Sequence, residues 1–176
     1  IPFRLKMVSP SLINGFSKTR TASEVSMFLP DDIFRTVVDS TPLVSIDLIV
    51  KNSEGQVLLG KRNNKPAKDF WFVPGGRIQK NETISDAFTR LCKEELGLEK
   101  RISDAVFLGP YEHFYNDSIF GDNVSTHYVV LGYQITLDRS LGKLPDKQHC
   151  DYKWMNVEEA VRSESVYKYS RDYFVN

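Results

Sequence analysis

"GGRIQKNETISDAFTRLCKEELG", residues 75–97, decides how this chain is read. A glycine turn opens the stretch and a glycine closes it. Between them lies a helix with a clear start, because Thr83 followed by Asp86 forms a capping box, and Gly97 supplies the stop. Ile84, Ala87, Phe88 and Leu91 recur at intervals of three and four, which predicts a buried stripe. Glu95 shares a helix face with positions 91 and 92, while Glu94 points about 100° away. Glu82 stands just before the cap. Such oxygen donors suit Mg²⁺ or Mn²⁺, held by one or two carboxylates, water, a substrate phosphate and a carbonyl from the glycine turn.

Working outward, "PDDIFRTVVDS" (30–40) predicts a short helix with Ile33, Phe34, Val37 and Val38 on one face. "LVSIDLIVK" and "QVLLGKR", joined by "NSEG", read as a β-hairpin, and residues 63–69 as a loop. "FWFVPGG" reads as one buried strand that runs into the glycine turn. "AVFLGPYEHFY" and "HYVVLGYQITL" predict two further strands, and "DYKWM" a short last one. Helical spacing returns in "NVEEAVRSESVYKYSRDYF". Strands interleaved with helices, without repeats or low-complexity tracts, predict an α/β sheet domain with helices on its faces.

With 176 residues, 41% of them apolar, the chain can bury one substantial core, so one domain is expected. Its 23 basic and 23 acidic residues cancel, which leaves no global field to attract nucleic acid or a membrane surface. An anionic ligand must therefore be held by local positive groups. Two cysteines, Cys92 and Cys150, are too few for a disulfide framework and read as small buried residues in a reducing, cytoplasmic compartment. No apolar run is long enough to span a bilayer. Residues 1–26 show no sustained period and are expected to form a flexible leader, with the domain running from 27 to 176.

Gly76, Glu82, Arg90, Glu94, Glu95, Gly97 and Leu98 match the signature G-x5-E-x7-R-E-U-x-E-E-x-G-U, in which U is aliphatic. On these positions the chain resembles the Nudix hydrolases. That resemblance implies an α/β/α sandwich with a mixed β-sheet, a divalent metal and a substrate in which a nucleoside diphosphate is linked to another group. The chain departs from the signature at Leu91, where the family has glutamate, and carries Cys92 at the first U position. Either catalysis has been lost or the base has moved. If it moved, another segment must supply a titratable group and a metal ligand.

"LPDKQHCDYKW" (144–154) offers both in Gln148 and His149. Together with "PLVSIDLIV", "LLGKR", "WFVPGGRIQKNE", "HFYND" and "THYVVLG", it resembles the GDP-mannose mannosyl hydrolase branch of the family from about Met27 to near the C-terminus. The branch implies Mg²⁺-dependent hydrolysis of GDP-mannose, or GDP-glucose, by water attack at the anomeric carbon with inversion, releasing GDP and free sugar. Carried over by position, the metal falls to the Gly75 carbonyl, Glu95 and Gln148, with Mn²⁺ as a substitute, and Glu94 is left open. Glu82 and Arg90 become supports that fix the loop on the helix. Arg62 and Arg77 become diphosphate clamps, and His149, on a separate loop, the general base. Asp47, His113 and Tyr128 become substrate contacts. His127 reads as structural, and a zinc site at His149 and Cys150 lacks a second ligand pair. A homodimer is implied in the same way. Phosphorus attack giving a nucleoside monophosphate, and a silent nucleotide-sugar-binding module, are the alternatives.

Overall fold

The computed structural model of the chain describes residues 29–137, 144–145 and 149–175. The expected leader and Gln148 lie outside them. Twelve-residue β6 (Thr126–Leu137) runs parallel to ten-residue β1 (Leu43–Asn52) along its whole length, and this pair is the centre of the sheet. Antiparallel pairing adds β2 (Gln56–Arg62), β3 (Trp71–Phe72) and β7 (His149–Asn156) on one side and β5 (Val106–Tyr115) on the other. The order is β3-β2-β1-β6-β5, with β4 (Gly75–Arg77) also paired to β1. The helices are α1 (Asp31–Ser40), α2 (Ile84–Leu96), α3 (Val157–Arg162) and α4 (Lys168–Asp172). This is the expected mixed-sheet α/β fold.

Strand alternation builds two cores. Ile46, Leu48 and Val50 of β1 and Leu58 of β2 pack against Ala87, Phe88, Leu91, Cys92 and Leu96 of α2. Ile49, Val57 and Leu59 point the other way, onto Val73, Met155, Ala160, Val166 and Tyr173. A strand buried on both faces has no outward position for a charge, so Asp47 stands out in β1. Its face is the one covered by the C-terminal segment.

Helix α2 begins and ends as its sequence predicts. Thr83 accepts from the Asp86 backbone N–H at 3.1 Å, and Gly97 adopts the left-handed conformation (φ +65°) with its N–H on the Lys93 carbonyl. Leu91 is 2% exposed and belongs to the core. Its Cδ2 would stand 2.6 Å from a Cβ at Gly76, so the turn comes this close to the helix only without a side chain there.

Several expectations are corrected. Ile84 and Ile33, assigned to apolar faces, are exposed; each lies in the first turn of its helix, and the buried residues begin later, at Ala87 and Val38. "FWFVPGG" is two short strands rather than one. Pro74 has no N–H for a ladder, while its carbonyl takes the Leu48 N–H at 2.8 Å and the Val73 N–H is donated to the Ser170 hydroxyl. The C-terminal helical pattern is broken between α3 and α4, where Val166 bridges to Trp71.

The loop between β4 and α2 is tied down by Arg90. Its Nε donates to Glu82 Oε1 at 2.6 Å, and Nη2 to Glu82 Oε2 at 2.8 Å and the Arg77 carbonyl at 2.9 Å. Nη1 donates to Glu94 Oε2 at 2.9 Å. Glu82 Oε2 also accepts the Gln79 N–H. These bonds hold the Glu82 carboxyl below its usual range, with Arg90 the leading cause. Glu82→Gln should therefore lower the unfolding free energy by about 2 kcal/mol, read as a lower urea midpoint at unchanged slope. An unchanged midpoint would mean the loop is held without this pair.

Candidate active site

Between the β1/β4 edge, β2, β5, β6 and β7 lies a cleft of about 180 Å³ lined by Asp47, Arg62, Gly75, Arg77, His113, Tyr128 and His149, with Ser45, Phe72, Val73, Gly76 and Tyr115. Pockets for whole drug-sized ligands hold roughly 300–1,000 Å³, so these residues enclose only part of a nucleotide-sized molecule. Seven of the sequence-predicted residues meet here, although they come from six strands.

Register explains how they meet. Asp47 of β1 lies opposite Gly75 of β4 and Gly132 of β6, and Tyr128 of β6 lies opposite His113 of β5. Between β2 and β7 the ladder slips: Lys61 pairs with Asp151 but Arg62 with His149, leaving position 150 as the extra residue of a bulge. The bulge re-aims the end of β7 so that His149 stands across from Arg62. His149 therefore starts a strand and does not sit on a separate loop as expected. Its ring lies over Gly60, where a Cβ would come within 2.5 Å of Cδ2.

The tautomer of His149 follows from its neighbours. Tyr152 Oη donates to the Pro145 carbonyl at 2.8 Å, so toward His149 Nδ1, 3.1 Å away, it acts as acceptor. Glu95 Oε2, 3.7 Å from the same nitrogen, asks for the proton in the same place. The proton thus sits on Nδ1 and Nε2 keeps its lone pair. Burial first, and the Arg62 guanidinium second, push the imidazole down to about 4. At neutral pH the ring is an uncharged base.

The other polar groups are equally constrained. Burial raises the Asp47 carboxyl to about 7, against the Tyr173 hydrogen bond and the Arg62 charge, which lower it. Tyr173 Oη donates to Asp47 Oδ2 at 2.8 Å. His113 is stacked flat on Tyr169 with ring centroids 4.3 Å apart, and burial lowers it to about 4. Two cations remain to meet an anion. Arg77 lies over the Phe34 ring at 4.0 Å, and burial lowers its affinity for its proton; Arg62 lies 5.3 Å from the Phe72 ring centre.

Glu95, 4% exposed, supplies a buried carboxylate behind His149, while Gly75 supplies a carbonyl from the turn. Both are the hard oxygen donors that Mg²⁺ prefers, and the donor set fits such a cation. Among the described residues no three His, Cys, Asp or Glu side chains converge as a metal cluster. Glu94 is turned to Arg90 and half exposed. Cys92 is buried and its thiol is pushed up to about 12, which leaves it protonated and inert. His127 stacks on Phe114 away from the cleft. The sequence reading passed over Tyr152 and Tyr173. Tyr152 follows His149 by one strand repeat plus the bulge, which was a signal; Tyr173, far along the chain, gave none.

A family model for the NUDIX domain matches residues 41–174. The low-salt glycan biosynthesis protein Agl8 of Haloferax volcanii is 44% identical over 125 residues, which is 71% of this chain and 78% of that protein. An ADP-ribose pyrophosphatase of Methanocaldococcus jannaschii is 37% identical over 70 residues, 40% of each chain. Among solved structures, the MutT protein of Methanosarcina mazei superposes with a TM-score of 0.62 at 21% identity, covering 77% of this chain and 92% of its own, which speaks for the fold. Among the described residues no helix is long and apolar enough to cross a membrane.

Because the folded His113 imidazole takes a proton only near pH 4 while the unfolded one does so near 6.5, acidification favours the unfolded chain. Between pH 7 and pH 5 a His113→Gln variant should gain about 2 kcal/mol of unfolding free energy relative to the parent, measured by urea melts at both pH values. Parallel losses in the two proteins would mean that His113 titrates normally in the fold.

Proposed function

The chain belongs to the Nudix family, whose members hydrolyse nucleoside diphosphate derivatives and generally use a divalent metal, and on that premise we propose that it cleaves GDP-mannose, or GDP-glucose, between sugar and diphosphate. Water attacks the anomeric carbon, the configuration inverts, and GDP and free sugar leave. The observation that carries this reading is His149, whose proton is fixed on Nδ1 by Tyr152 so that Nε2 is available as a base, beside an arginine that would face the leaving group. The signature's glutamate, meanwhile, is replaced by Leu91, whose side chain fills the core.

The chemistry follows from these groups. His149 Nε2 accepts the proton of the attacking water, a transfer that needs the neutral imidazole. Arg62 and Arg77 bind the diphosphate oxygens and stabilise the charge that builds as the carbon–oxygen bond breaks. Asp47, His113 and Tyr128 bind the sugar hydroxyls. Glu82 and Arg90 keep the glycine turn on α2. The Gly75 carbonyl, Glu95 and Gln148 would hold Mg²⁺ or Mn²⁺, which supplies positive charge to the pyrophosphate when bound. The glycan biosynthesis role in the name of the Haloferax relative accords with a sugar-bearing substrate. We further propose that the chain acts as a cytoplasmic homodimer and that residues 27–176 form the catalytic domain.

Hydrolysis in ¹⁸O-water should place the label in the free sugar. Label in a phosphate would establish attack at phosphorus, the reaction named for the ADP-ribose relative, and no turnover with tight binding would leave a binding module. His149→Gln should lower kcat by about 10² to 10⁴ while metal affinity changes little. A kcat within a few-fold of the parent would remove His149 as the base.

A further inference from the structure

The C-terminal segment backs the wall of the cleft, and Tyr173 bonds to two of the residues that line it. We propose that Tyr173 is a positioning residue, which holds Asp47 and His113 as one hydrogen-bonded unit against the sugar and thereby sets affinity for the sugar half of the substrate. The proposal rests on the reading that Asp47 and His113 contact the sugar.

Three independent features place Tyr173 in this role. First, its hydroxyl donates to Asp47 Oδ2 at 2.8 Å while its oxygen lies 3.4 Å from His113 Nε2, so one atom joins two residues of different strands. Since the O–H proton goes to the carboxylate, the oxygen is free to accept from the imidazole. Second, a slot is built for the ring. Gly132 of β6 lies opposite Asp47, and a Cβ there would come within 3.2 Å of Tyr173 Cε1 and 3.0 Å of Tyr111 Cε2. The Tyr111 and Tyr173 rings meet edge to face at 4.5 Å. Third, the rest of the segment braces the same wall. Tyr169, one helical turn earlier, stacks on His113 and exchanges hydrogen bonds with both the N–H and the carbonyl of Phe114, while Ser170 accepts the Val73 N–H. Ordinary core packing would need neither the hydroxyl of Tyr173 nor the glycine facing it.

The geometry also says what is held. Asp47 Oδ1 occupies the space that a Cβ at Gly75 would take, 2.6 Å from it, while Oδ2 is held by the Tyr173 hydroxyl. A carboxylate fixed in this way, beside an imidazole, is suited to adjacent hydroxyls on a pyranose ring. Without the tyrosine hydroxyl the carboxylate would turn toward Arg62, the nearby cation that already attracts it.

The test uses the full chain and the variants Tyr173→Phe, Asp47→Asn and the two combined. Tyr173→Phe keeps the ring and its packing. It should raise KM for GDP-mannose about tenfold while the Kd for GDP, which lacks the sugar, stays within twofold, and the double variant should be no worse than Asp47→Asn alone. If KM does not move in Tyr173→Phe but rises in Asp47→Asn, or if the two effects multiply, Tyr173 is not positioning Asp47 and the proposal fails alone. If Asp47→Asn leaves KM for GDP-mannose unchanged, the sugar-binding reading fails and the proposal falls with it. Equal weakening of GDP and GDP-mannose would point to a general structural role and would also overturn it. Should Tyr173→Phe not fold, Gly132→Ala, which crowds the same ring from the β6 side, is held to the same KM-against-Kd split.

Discussion

One guanidinium organises the signature segment. Arg90 binds both oxygens of Glu82, the backbone carbonyl of Arg77 and a carboxylate oxygen of Glu94, all within 2.9 Å. The turn between β4 and α2 has little regular structure of its own, and the guanidinium ties it to the helix. With the bond to the Arg77 carbonyl in place, the side chain of Arg77 leaves the strand at a set point and finds the face of Phe34. Gly75 is set against Asp47 by the β1/β4 register. Planar, multidentate donors impose such geometry where a lysine could not.

The leucine at position 91 fits this arrangement and would not fit a carboxylate as well. Its side chain is almost wholly buried between α2 and the sheet, against a glycine that leaves it room. A glutamate there would bring an unpaired charge into an apolar cluster unless a cation accompanied it. Buried polar groups in this part of the molecule are gathered instead on the other side of Glu95, where His149, Tyr152 and the Pro145 carbonyl form a chain of donors and acceptors. Position 91 is thus apolar, and the polar groups lie beyond Glu95.

Much of this was legible in residue order. The cap at Thr83, the stop at Gly97 and the hairpin from β1 to β2 depend on neighbours in the chain, and local rules describe neighbours well. Asp47 was conspicuous because a strand buried on both faces cannot hold an acid without a partner. The partner, Tyr173, was not visible, since it stands 126 residues away and its spacing reads as an ordinary helix face. The strand start at His149 was missed for a related reason. A bulge is a property of two strands in register, and only the pairing of Arg62 with His149 reveals it. Local spacing likewise overstated the burial of Ile33 and Ile84, because how far a helix is covered depends on what packs on it from elsewhere in the chain.

Arg62 links these parts electrostatically. It lowers the proton affinity of both Asp47 and His149, the first by favouring a carboxylate and the second by repelling an imidazolium. An anion that binds Arg62 cancels part of that field, and both effects then weaken together. Burial, the larger cause of the low proton affinity of His149, is not relieved by an anion, so the imidazole stays neutral with a diphosphate on Arg62. The same anion brings negative charge near Asp47, and the Tyr173 hydroxyl is then the group that keeps its carboxylate turned to the sugar.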